Sequence, residues 1–299
     1  MTPPHLVLGT AQLGLPYGVA NRTGQPDQRI ATAIVREAWE NGIREFDTAQ
    51  GYGTSEAVLG KALYQLGIAK KAKIITKFHP CLDHLDASLL SDALNQSLEK
   101  LGCHRLYGIM LHREEVLSQW DRGLNEIFGE FVLSGMVKRI GVSVYSPQRA
   151  TKALKTDGID MIQLPANLLD RRFEKSGVYQ LAAELNKTIY IRSVFLQGLI
   201  LMNPGDIPHN LSFTRPVIKK IKSLSHTFGL SPQEMALGYI KAELPDGHVL
   251  FGAETPLQVR ENMTAWQKKM PGSFKETIKA IFPDVDEQIL NPSLWSRSM

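Results

Sequence analysis

The chain has 299 residues, of which 43% are hydrophobic and 21% are charged, and its formal net charge is +4 at pH 7. This is the composition of a globular protein, and it excludes a disordered or low-complexity chain. So small a positive charge, without a run of basic residues, argues against nucleic acid as a partner.

The cysteines and the apolar segments exclude further classes. Cys81 and Cys103 are too few for a disulfide framework and lack zinc-ligand spacing, so we expect free thiols and no metal. No apolar run approaches the roughly 20 residues that span a bilayer, and the opening MTPPHLVLGT lacks a signal-peptide pattern. These features predict a cytoplasmic protein without a membrane partner.

Along most of the chain, short apolar runs typical of strands alternate with amphipathic segments typical of helices. We predict strands at residues 6–8, 45–48, 74–77, 107–111, 139–143, 161–164, 189–193 and 249–251. We predict helices at 27–42, 55–66, 87–101, 114–134, 147–156, 179–185 and 256–268, with Asp27 capping the first and Gly42 ending it. A further helix, capped by Ser231, is expected in the last crossover.

Eight strand–helix units predict an α/β fold of the (β/α)8 TIM-barrel type, formed by one domain that covers residues 1–299. A doubly wound open sheet is the alternative, but the segment LVLGTAQLGLPYG lacks the GxGxxG spacing common after its first strand. Two segments break the alternation: a long loop after strand 7, at residues 195–211, and a C-terminal extension at residues 270–299. Long loops are often functional. The extension is expected either to cover a barrel end or to fray.

Four ionisable residues lie at or just beyond the carboxyl ends of three successive strands. Asp47 ends the second strand, Tyr52 lies in the loop after it, Lys77 ends the third strand and His112 follows the fourth. Each alone has a structural explanation, such as a turn cap or a packed ring. Because the carboxyl ends of barrel strands form the active-site face, their joint placement predicts a catalytic site.

The chemistry of these four side chains suits proton transfer to a carbonyl oxygen. A phenol with a pKa of about 10 is a weak acid, and Lys77 is expected to lower the pKa of Tyr52 while Asp47 holds Lys77 in an ion pair. His112 would polarise the carbonyl, either as a neutral donor or as a cation. A reduction also needs two electrons, which these residues cannot supply, so a hydride-donating cofactor is required.

With these residues in place, the sequence closely resembles the aldo-keto reductase superfamily over almost its whole length. The resemblance rests on LGTAQLGLPYG, DTAQGYG followed by SEAVLGKAL, ITKF, LHR, GMVKRIGVSVYSP and FGAETPLQVREN. It implies a (β/α)8 barrel that reduces an aldehyde or ketone with NAD(P)H, and it places Tyr52 as the general acid with Asp47, Lys77 and His112 as its catalytic partners.

The resemblance also implies a set of cofactor contacts. They are Thr10, Ala11, Ser143, Gln163, Arg192, Ser193, Gly252, Ala253, Thr255, Gln258, Glu261 and Asn262. The late members have a structural explanation as well, because Thr255 and Pro256 are typical of a helix N-terminus. Both can hold, since a helix N-terminus favours phosphate.

The sequence departs from the family pattern at the cofactor. Arg192 stands where many members place an aromatic ring beside the nicotinamide, so it either stacks there or contacts an anionic substrate or a phosphate. Gly252 and Gln258 stand where some relatives bind the 2′-phosphate through Lys and Arg. Glu254 would repel that phosphate, although Arg260 could compensate. We predict NADP(H), with NAD(H) as the alternative.

The substrate is expected to be a small carbonyl compound, and Gln50, Arg113 and Glu114 favour a polar one such as a sugar. Two other functions stay open. Lys77 could form a Schiff base in a lyase or aldolase, although its pairing with Asp47 argues against this. The protein could also be a cofactor-binding sensor or regulatory subunit, because fold alone does not prove turnover.

Overall fold

A computed structural model describes residues 5–295 as a closed barrel of eight parallel strands surrounded by helices. The strands are β1 (Leu6–Gly9), β2 (Glu45–Asp47), β3 (Lys73–Lys77), β4 (Leu106–Leu111), β5 (Val137–Ser143), β6 (Met161–Pro165), β7 (Thr188–Arg192) and β8 (His248–Gly252). Every predicted strand is present and the predicted barrel is confirmed, whereas the open sheet is excluded because β1 pairs with both β2 and β8.

The α-helices of the described residues follow the strands in the order expected of a barrel. They are α1 (Ala11–Gly14), α2 (Gln28–Glu40), α3 (Ser55–Gln65), α4 (Ala87–Leu101), α5 (Leu124–Leu133), α6 (Pro147–Lys155), α7 (Arg172–Lys175), α8 (Val178–Glu184), α9 (Arg215–Phe228), α10 (Pro232–Glu243), α11 (Pro256–Gln267), α12 (Phe274–Ile281) and α13 (Glu287–Leu290). Short 3-10 helices span Glu114–Arg122, Leu199–Leu201, Pro204–Asp206, His209–Thr214 and Pro292–Leu294. None of the helices in this part of the chain is long and apolar enough to cross a membrane.

The predicted caps are confirmed at two helices. The Asp27 carboxylate accepts a hydrogen bond from the backbone N–H of Ile30 at 2.7 Å, at the start of α2. Ser231 and Glu234 form a reciprocal capping box at the start of α10. The short polar side chain at each of these positions therefore satisfies backbone donors that the helix itself leaves free.

The predicted helix at residues 114–134 is wrong in its middle. The segment forms a 3-10 helix that ends at Arg122, and α5 begins at Leu124. Gly123 separates the two with a φ of +108°, a conformation that favours glycine and interrupts a helix. Helix α9 was not predicted, because it follows the irregular loop after β7.

The C-terminal extension packs on the outer helical layer as far as residue 295. The Phe274 ring of α12 meets the Phe228 ring of α9 edge to face, with centroids 5.3 Å apart. Lys279 of α12 forms an ion pair with Glu243 of α10 at 3.0 Å. The prediction also covered residues 296–299, which lie outside the described residues.

Side chains that point into the barrel form a separate small core of Val7, Ile75, Met110, Met161, Tyr190 and Leu250. Two glycines make room for Met161, since a Cβ at Gly108 would lie 2.2 Å from its Cε and one at Gly141 would lie 2.7 Å from its Cγ. Alternate residues of a strand share one face. Glu45 and Asp47 therefore lie on the same face of β2, one at each end of the strand.

Candidate active site

The carboxyl ends of β2 and β3 bring Asp47 and Lys77 into a buried ion pair. Lys77 Nζ lies 2.7 Å from both carboxylate oxygens of Asp47 and donates a third hydrogen bond to the Thr48 carbonyl at 2.9 Å. The two side chains are 0% and 3% exposed. Burial lowers the pKa of Lys77, whereas Asp47 opposes that shift. All three ammonium hydrogens are donated in hydrogen bonds, so Lys77 has no free donor for a ligand.

Tyr52 lies above this pair, in the loop between β2 and α3. Lys77 Nζ is 5.2 Å from the centroid of the Tyr52 ring. The loop packs tightly against α1: a Cβ at Gly14 would lie 1.9 Å from the Tyr52 carbonyl oxygen and 2.4 Å from the Ser55 nitrogen. Only glycine at position 14 permits this approach, which fixes the height of Tyr52 above the barrel.

His112 follows β4 and meets the Tyr52 ring edge to face. The ring centroids are 5.7 Å apart and the planes make an angle of 83°. His112 Nδ1 is buried without a hydrogen-bond partner, and among residues 5–295 none bonds the Tyr52 hydroxyl. The two rings therefore lie side by side, and each side chain has a polar atom without a hydrogen-bond partner among these residues.

The charges around Tyr52 differ from the expectation that Lys77 lowers its pKa. Burial, followed by the Asp47 carboxylate, raises the pKa of Tyr52 well above its ordinary value, and Arg192 is the cation that opposes this shift. The prediction was wrong because the charge of Lys77 is balanced by Asp47. The phenol is therefore protonated at neutral pH.

The protonation state of His112, which the sequence left open, follows from its surroundings. Burial, with the nearby positive charges of Lys77 and Arg192, lowers the pKa of His112 to about 3. The imidazole is therefore neutral at pH 7 and can act as a hydrogen-bond donor but not as a cation.

A cavity of about 300 Å³ opens beside Tyr52 and extends to the carboxyl end of β8 and the first turns of α11. Most predicted site residues line it, namely Thr10, Ala11, Asp47, Tyr52, Gln163, Arg192, Ser193, Gly252, Gln258, Glu261 and Asn262. Five do not: Lys77 lies behind Asp47, His112 borders Tyr52, Ser143 and Ala253 are buried, and Thr255 caps α11. The structure thus brings the predicted catalytic and cofactor residues to one region.

Gln163 and Thr10 join the cavity wall to Asp47. Gln163 Nε2 donates to Asp47 Oδ2 at 2.8 Å, which leaves the amide oxygen of Gln163 to accept from a ligand. Thr10 Oγ1 donates to the Asp47 carbonyl at 2.9 Å and is fully buried. Gln163 can therefore face a ligand, whereas Thr10 holds the ends of β1 and β2 together.

The beginning of α11 forms the far wall of the cavity. Thr255 caps the helix by accepting a hydrogen bond from the Gln258 N–H at 3.2 Å, as predicted. The Gln258 amide oxygen accepts from the Glu254 N–H at 2.6 Å. Asn262 is engaged by Gln233 of α10 at 2.8 Å, so its side chain already bridges two helices.

Arg260 does not point at the cavity. Its guanidinium forms two hydrogen bonds with the Glu37 carboxylate of α2, at 3.1 and 3.0 Å. The suggestion that Arg260 compensates Glu254 is therefore wrong in this structure. Glu254 lines the cavity, accepts a hydrogen bond from Thr23 at 3.1 Å, and has a pKa raised by burial.

Two of the three residues that favoured a polar substrate, Gln50 and Glu114, have structural partners. The Gln50 amide donates to the Ala93 carbonyl and to Ser97, each at 2.9 Å, and accepts from the His79 N–H. The Glu114 carboxylate accepts from the Tyr145 N–H at 2.6 Å. These side chains anchor loops, so they do not support a sugar substrate.

Several cavity residues were missed from the sequence, three polar ones among them. Tyr17 and Gln197 line it, as does Gln12, whose amide lies where a Cβ of Gly252 would be. Gln197 has a φ of +56°, and its neighbour Leu196 has a φ of +50°. Such conformations are costly for non-glycine residues and concentrate at functional sites. The length of the loop after β7 was the available signal.

No group of three or more His, Cys, Asp or Glu side chains within residues 5–295 has an arrangement that could hold a metal ion. Cys81 is exposed and Cys103 is partly buried, and both are free thiols. Burial raises the pKa of Cys103 to about 11, so this thiol is protonated and unreactive.

Comparisons with known proteins agree with this architecture. The NADH-specific methylglyoxal reductase of Escherichia coli is 26% identical over 302 residues, which cover 89% of this chain and 90% of the relative. The putative voltage-gated potassium channel subunit beta of Schizosaccharomyces pombe is 36% identical over 266 residues, which cover 77% of each chain. The holo form of the aldo-keto reductase AKR11C1 from Bacillus halodurans has a TM-score of 0.76 and 22% identity, covering 96% of this chain and 95% of that one; this likeness concerns the fold.

The family model described as the aldo/keto reductase family matches residues 5–282. The match includes all eight strands and every residue of the predicted site. The resemblance seen in the sequence motifs is thereby confirmed, and the chain belongs to the aldo/keto reductase family, which uses NAD(P)H.

Proposed function

We propose that the protein reduces an aldehyde or ketone to the alcohol with NAD(P)H, and that Tyr52 donates the proton. The observation that carries this proposal is that Tyr52, whose hydroxyl has no hydrogen bond within residues 5–295, lines one end of a cavity and meets the His112 ring edge to face. The other end of that cavity is formed by the start of a helix. A carbonyl at the first end and a cofactor phosphate at the second would fit this arrangement.

The cavity wall fits a dinucleotide in two respects. Gly252 has no side chain, and the Gln12 amide takes the place that a Cβ would fill, which puts a polar group in the cavity wall at the end of β8, next to the start of α11. Gln163 keeps an amide oxygen free for an amide donor such as the nicotinamide carboxamide. When bound, NAD(P)H supplies the hydride that the side chains cannot provide.

The side chains then handle the proton and the developing charge. His112 is neutral, so its N–H can donate to the carbonyl oxygen and stabilise negative charge that forms there. Tyr52 is protonated because burial and Asp47 raise its pKa, which makes it a proton donor rather than a base. Lys77, paired with Asp47, offsets the carboxylate charge that would otherwise oppose loss of the proton from the phenol.

The direct test is Tyr52→Phe, assayed by NAD(P)H absorbance with a panel of aldehydes and ketones. General acid catalysis is typically worth about 10²- to 10⁴-fold, so kcat should fall by that factor. The dissociation constant of the reduced cofactor, from fluorescence titration, should change by less than about twofold, a factor worth only a few tenths of a kcal/mol. Tyr64→Phe is the matched control, because Tyr64 is 80% exposed on α3. A Tyr52→Phe variant that keeps more than about one-tenth of the activity contradicts the proposal.

For the choice between cofactors, the local charges favour NADH. Glu254 can accept a hydrogen bond from a free 2′-hydroxyl, whereas it would repel a 2′-phosphate. Arg260, the nearest candidate cation in sequence, is held by Glu37. The E. coli relative is named NADH-specific. Fluorescence titration should therefore show tighter binding of NADH, and Glu254→Gln should shift the ratio toward NADPH. Tenfold tighter binding of NADPH to the unmodified protein contradicts this, a factor of about 1.4 kcal/mol.

A regulatory subunit without turnover is the second candidate, favoured by the name of the S. pombe relative. The same substrate panel separates the two, because a subunit would bind cofactor and reduce no carbonyl compound at any useful rate. A Schiff-base lyase has less support, since every hydrogen of Lys77 Nζ is already donated. Borohydride with a carbonyl substrate and no cofactor should leave no covalent adduct.

A further inference from the structure

Arg192 lies in the cavity wall without a counter-charge. Its hydrogen bonds to Ser193 Oγ and to the Val144 carbonyl are both 3.4 Å long, and its Nε is buried without a partner. Within residues 5–295 it forms no ion pair with an Asp or Glu side chain. Withdrawing an unpaired charge from water is costly, so a ligand that supplies the opposite charge would be stabilised here.

The guanidinium faces the side of the cavity where the carbonyl would bind. Arg192 ends β7, but its side chain crosses the end of β6 to reach Val144, just beyond β5, and lies 4.2 Å above the Tyr145 ring. Strands β8 and β5 lie on opposite sides of β7 in the barrel order. The charge is therefore directed away from the start of α11 and toward β4, which His112 follows.

Arg192 also acts electrostatically on the side chains around the proposed carbonyl position. Its positive charge opposes the rise in pKa that burial causes at Tyr52 and Tyr17, and it adds to the effect of burial that lowers the pKa of His112. The charge of Asp47 is not available to balance it, because Lys77 pairs with both carboxylate oxygens. A positive field thus covers the space between Tyr52, His112 and Tyr145.

We infer that Arg192 binds an oxyanion of the substrate, so that the preferred substrate is an aldehyde or ketone that also carries a carboxylate or a phosphate. The inference rests on the proposed function, because it assumes that a carbonyl binds between Tyr52 and His112. A guanidinium is suited to the task, since its planar donors match a carboxylate or phosphate in pairs.

The experiment compares carbonyl compounds that differ mainly in charge. Glyoxylate and 4-oxobutanoate are each assayed beside the corresponding methyl ester, and glycolaldehyde phosphate distinguishes phosphate from carboxylate. The unmodified protein should show a higher kcat/KM for the acid than for the ester in at least one pair. Arg192→Met should reduce that acid-to-ester ratio by about 10- to 100-fold, the range for charged hydrogen bonds, mainly through the KM of the acid.

Two further variants make the comparison specific. Arg192→Lys keeps the charge but loses the paired donors, so it should retain part of the acid-to-ester ratio. Arg36→Met is the matched control, because Arg36 is exposed on α2 and does not line the cavity. If Arg192→Met leaves the ratio unchanged, or if it weakens NADH and NADPH binding without changing the ratio, the inference is overturned and Arg192 belongs to the cofactor site.

A separate binding measurement distinguishes failure of the proposed function from failure of the inference about Arg192. Even without turnover, glutarate should bind in the cavity. The Tyr52→Phe variant with bound NADH is titrated with glutarate, and binding is measured as a change in NADH fluorescence. The effect of glutarate should be lost in a Tyr52→Phe/Arg192→Met variant. Anion binding without carbonyl reduction would refute the reductase but support the role of Arg192, whereas reduction without preference for acids would do the reverse.

Discussion

The two ends of the barrel carry the same four kinds of side chain. At the carboxyl ends of the strands, the upper set comprises Asp47, Tyr52, Lys77 and His112. Deeper in the barrel and at the amino ends of β2, β3 and β8, the lower set comprises Glu45, Lys73, Tyr190 and His248. Both carboxylates belong to β2, and both lysines belong to β3.

The sets differ in how fully their polar atoms are paired. Glu45 accepts hydrogen bonds from Lys73 at 3.0 Å, from Tyr190 at 2.9 Å and from His248 at 3.0 Å. His248 and Lys73 together outweigh burial, so the pKa of Glu45 falls to about 2. In the upper set only the Asp47–Lys77 pair is satisfied. Residue type therefore does not distinguish the proposed catalytic cluster from the structural one, whereas the number of unpaired polar groups does.

Replacing each lysine by methionine should give the largest contrast between the two sets. Lys77→Met leaves the Asp47 carboxylate buried without its cation, which typically costs about 3–5 kcal/mol of stability, and carbonyl reduction should be lost. Lys73 is 48% exposed in its side chain, and Glu45 keeps two other donors. Lys73→Met should therefore cost less than about 1 kcal/mol. Urea unfolding of both variants measures the difference.

A Lys77→Met variant that does not fold still permits a test. The double variant Asp47→Asn/Lys77→Met removes both charges, so it should recover much of the stability without recovering activity. Equal losses of stability in Lys77→Met and Lys73→Met would contradict the expected difference between a buried and a half-exposed ion pair. Carbonyl reduction by the refolded double variant would show that the pair is not needed for proton transfer.

The upper set was predictable from sequence and the lower set was not. Strand ends follow from short apolar runs, and a parallel barrel brings its carboxyl ends together, so Asp47, Lys77 and His112 could be placed by pattern alone. The partners of Glu45 depend on which inward side chains meet, and Tyr190 lies 145 residues away along the chain. The Arg260–Glu37 contact, between residues 223 apart, was missed for the same reason. Periodicity does not encode such pairs.

Acid unfolding should distinguish the two sets by pH. His112 has a pKa of about 3 in the folded protein, against 6.5 for a free imidazole. Below pH 6.5 the unfolded chain gains a proton that the folded chain does not, so stability should fall by about 1.4 kcal/mol per pH unit from this group. For Glu45, whose pKa drops from 4.5 to about 2, the loss should begin only below pH 4.5. Urea unfolding between pH 7 and 4.5 measures the contribution of His112.

The variant for this test is His112→Gln, which should reduce the slope in that range. His84 also has a pKa lowered by burial and contributes in the same range, so His84→Gln should be measured in parallel and in combination. An unchanged slope in His112→Gln would mean that the imidazole accepts a proton in the folded protein. It would then be a cation at moderately acidic pH, and the difference between the two sets would weaken.

The cleanest comparison is expected for the two tyrosines. Tyr190→Phe removes one of three hydrogen bonds to Glu45 and should cost about 1.5–3 kcal/mol, as is typical of hydrogen bonds to charged groups. Because Tyr190 lies below the cavity, kcat should stay within about twofold, or a few tenths of a kcal/mol in barrier. Tyr52→Phe should do the opposite, since no described residue bonds its hydroxyl: stability should be kept while carbonyl reduction is lost. If Tyr190→Phe lowers kcat tenfold at temperatures where it is fully folded, the change at Glu45 must be transmitted along β2 to Asp47, and the two ends of the barrel form one coupled site.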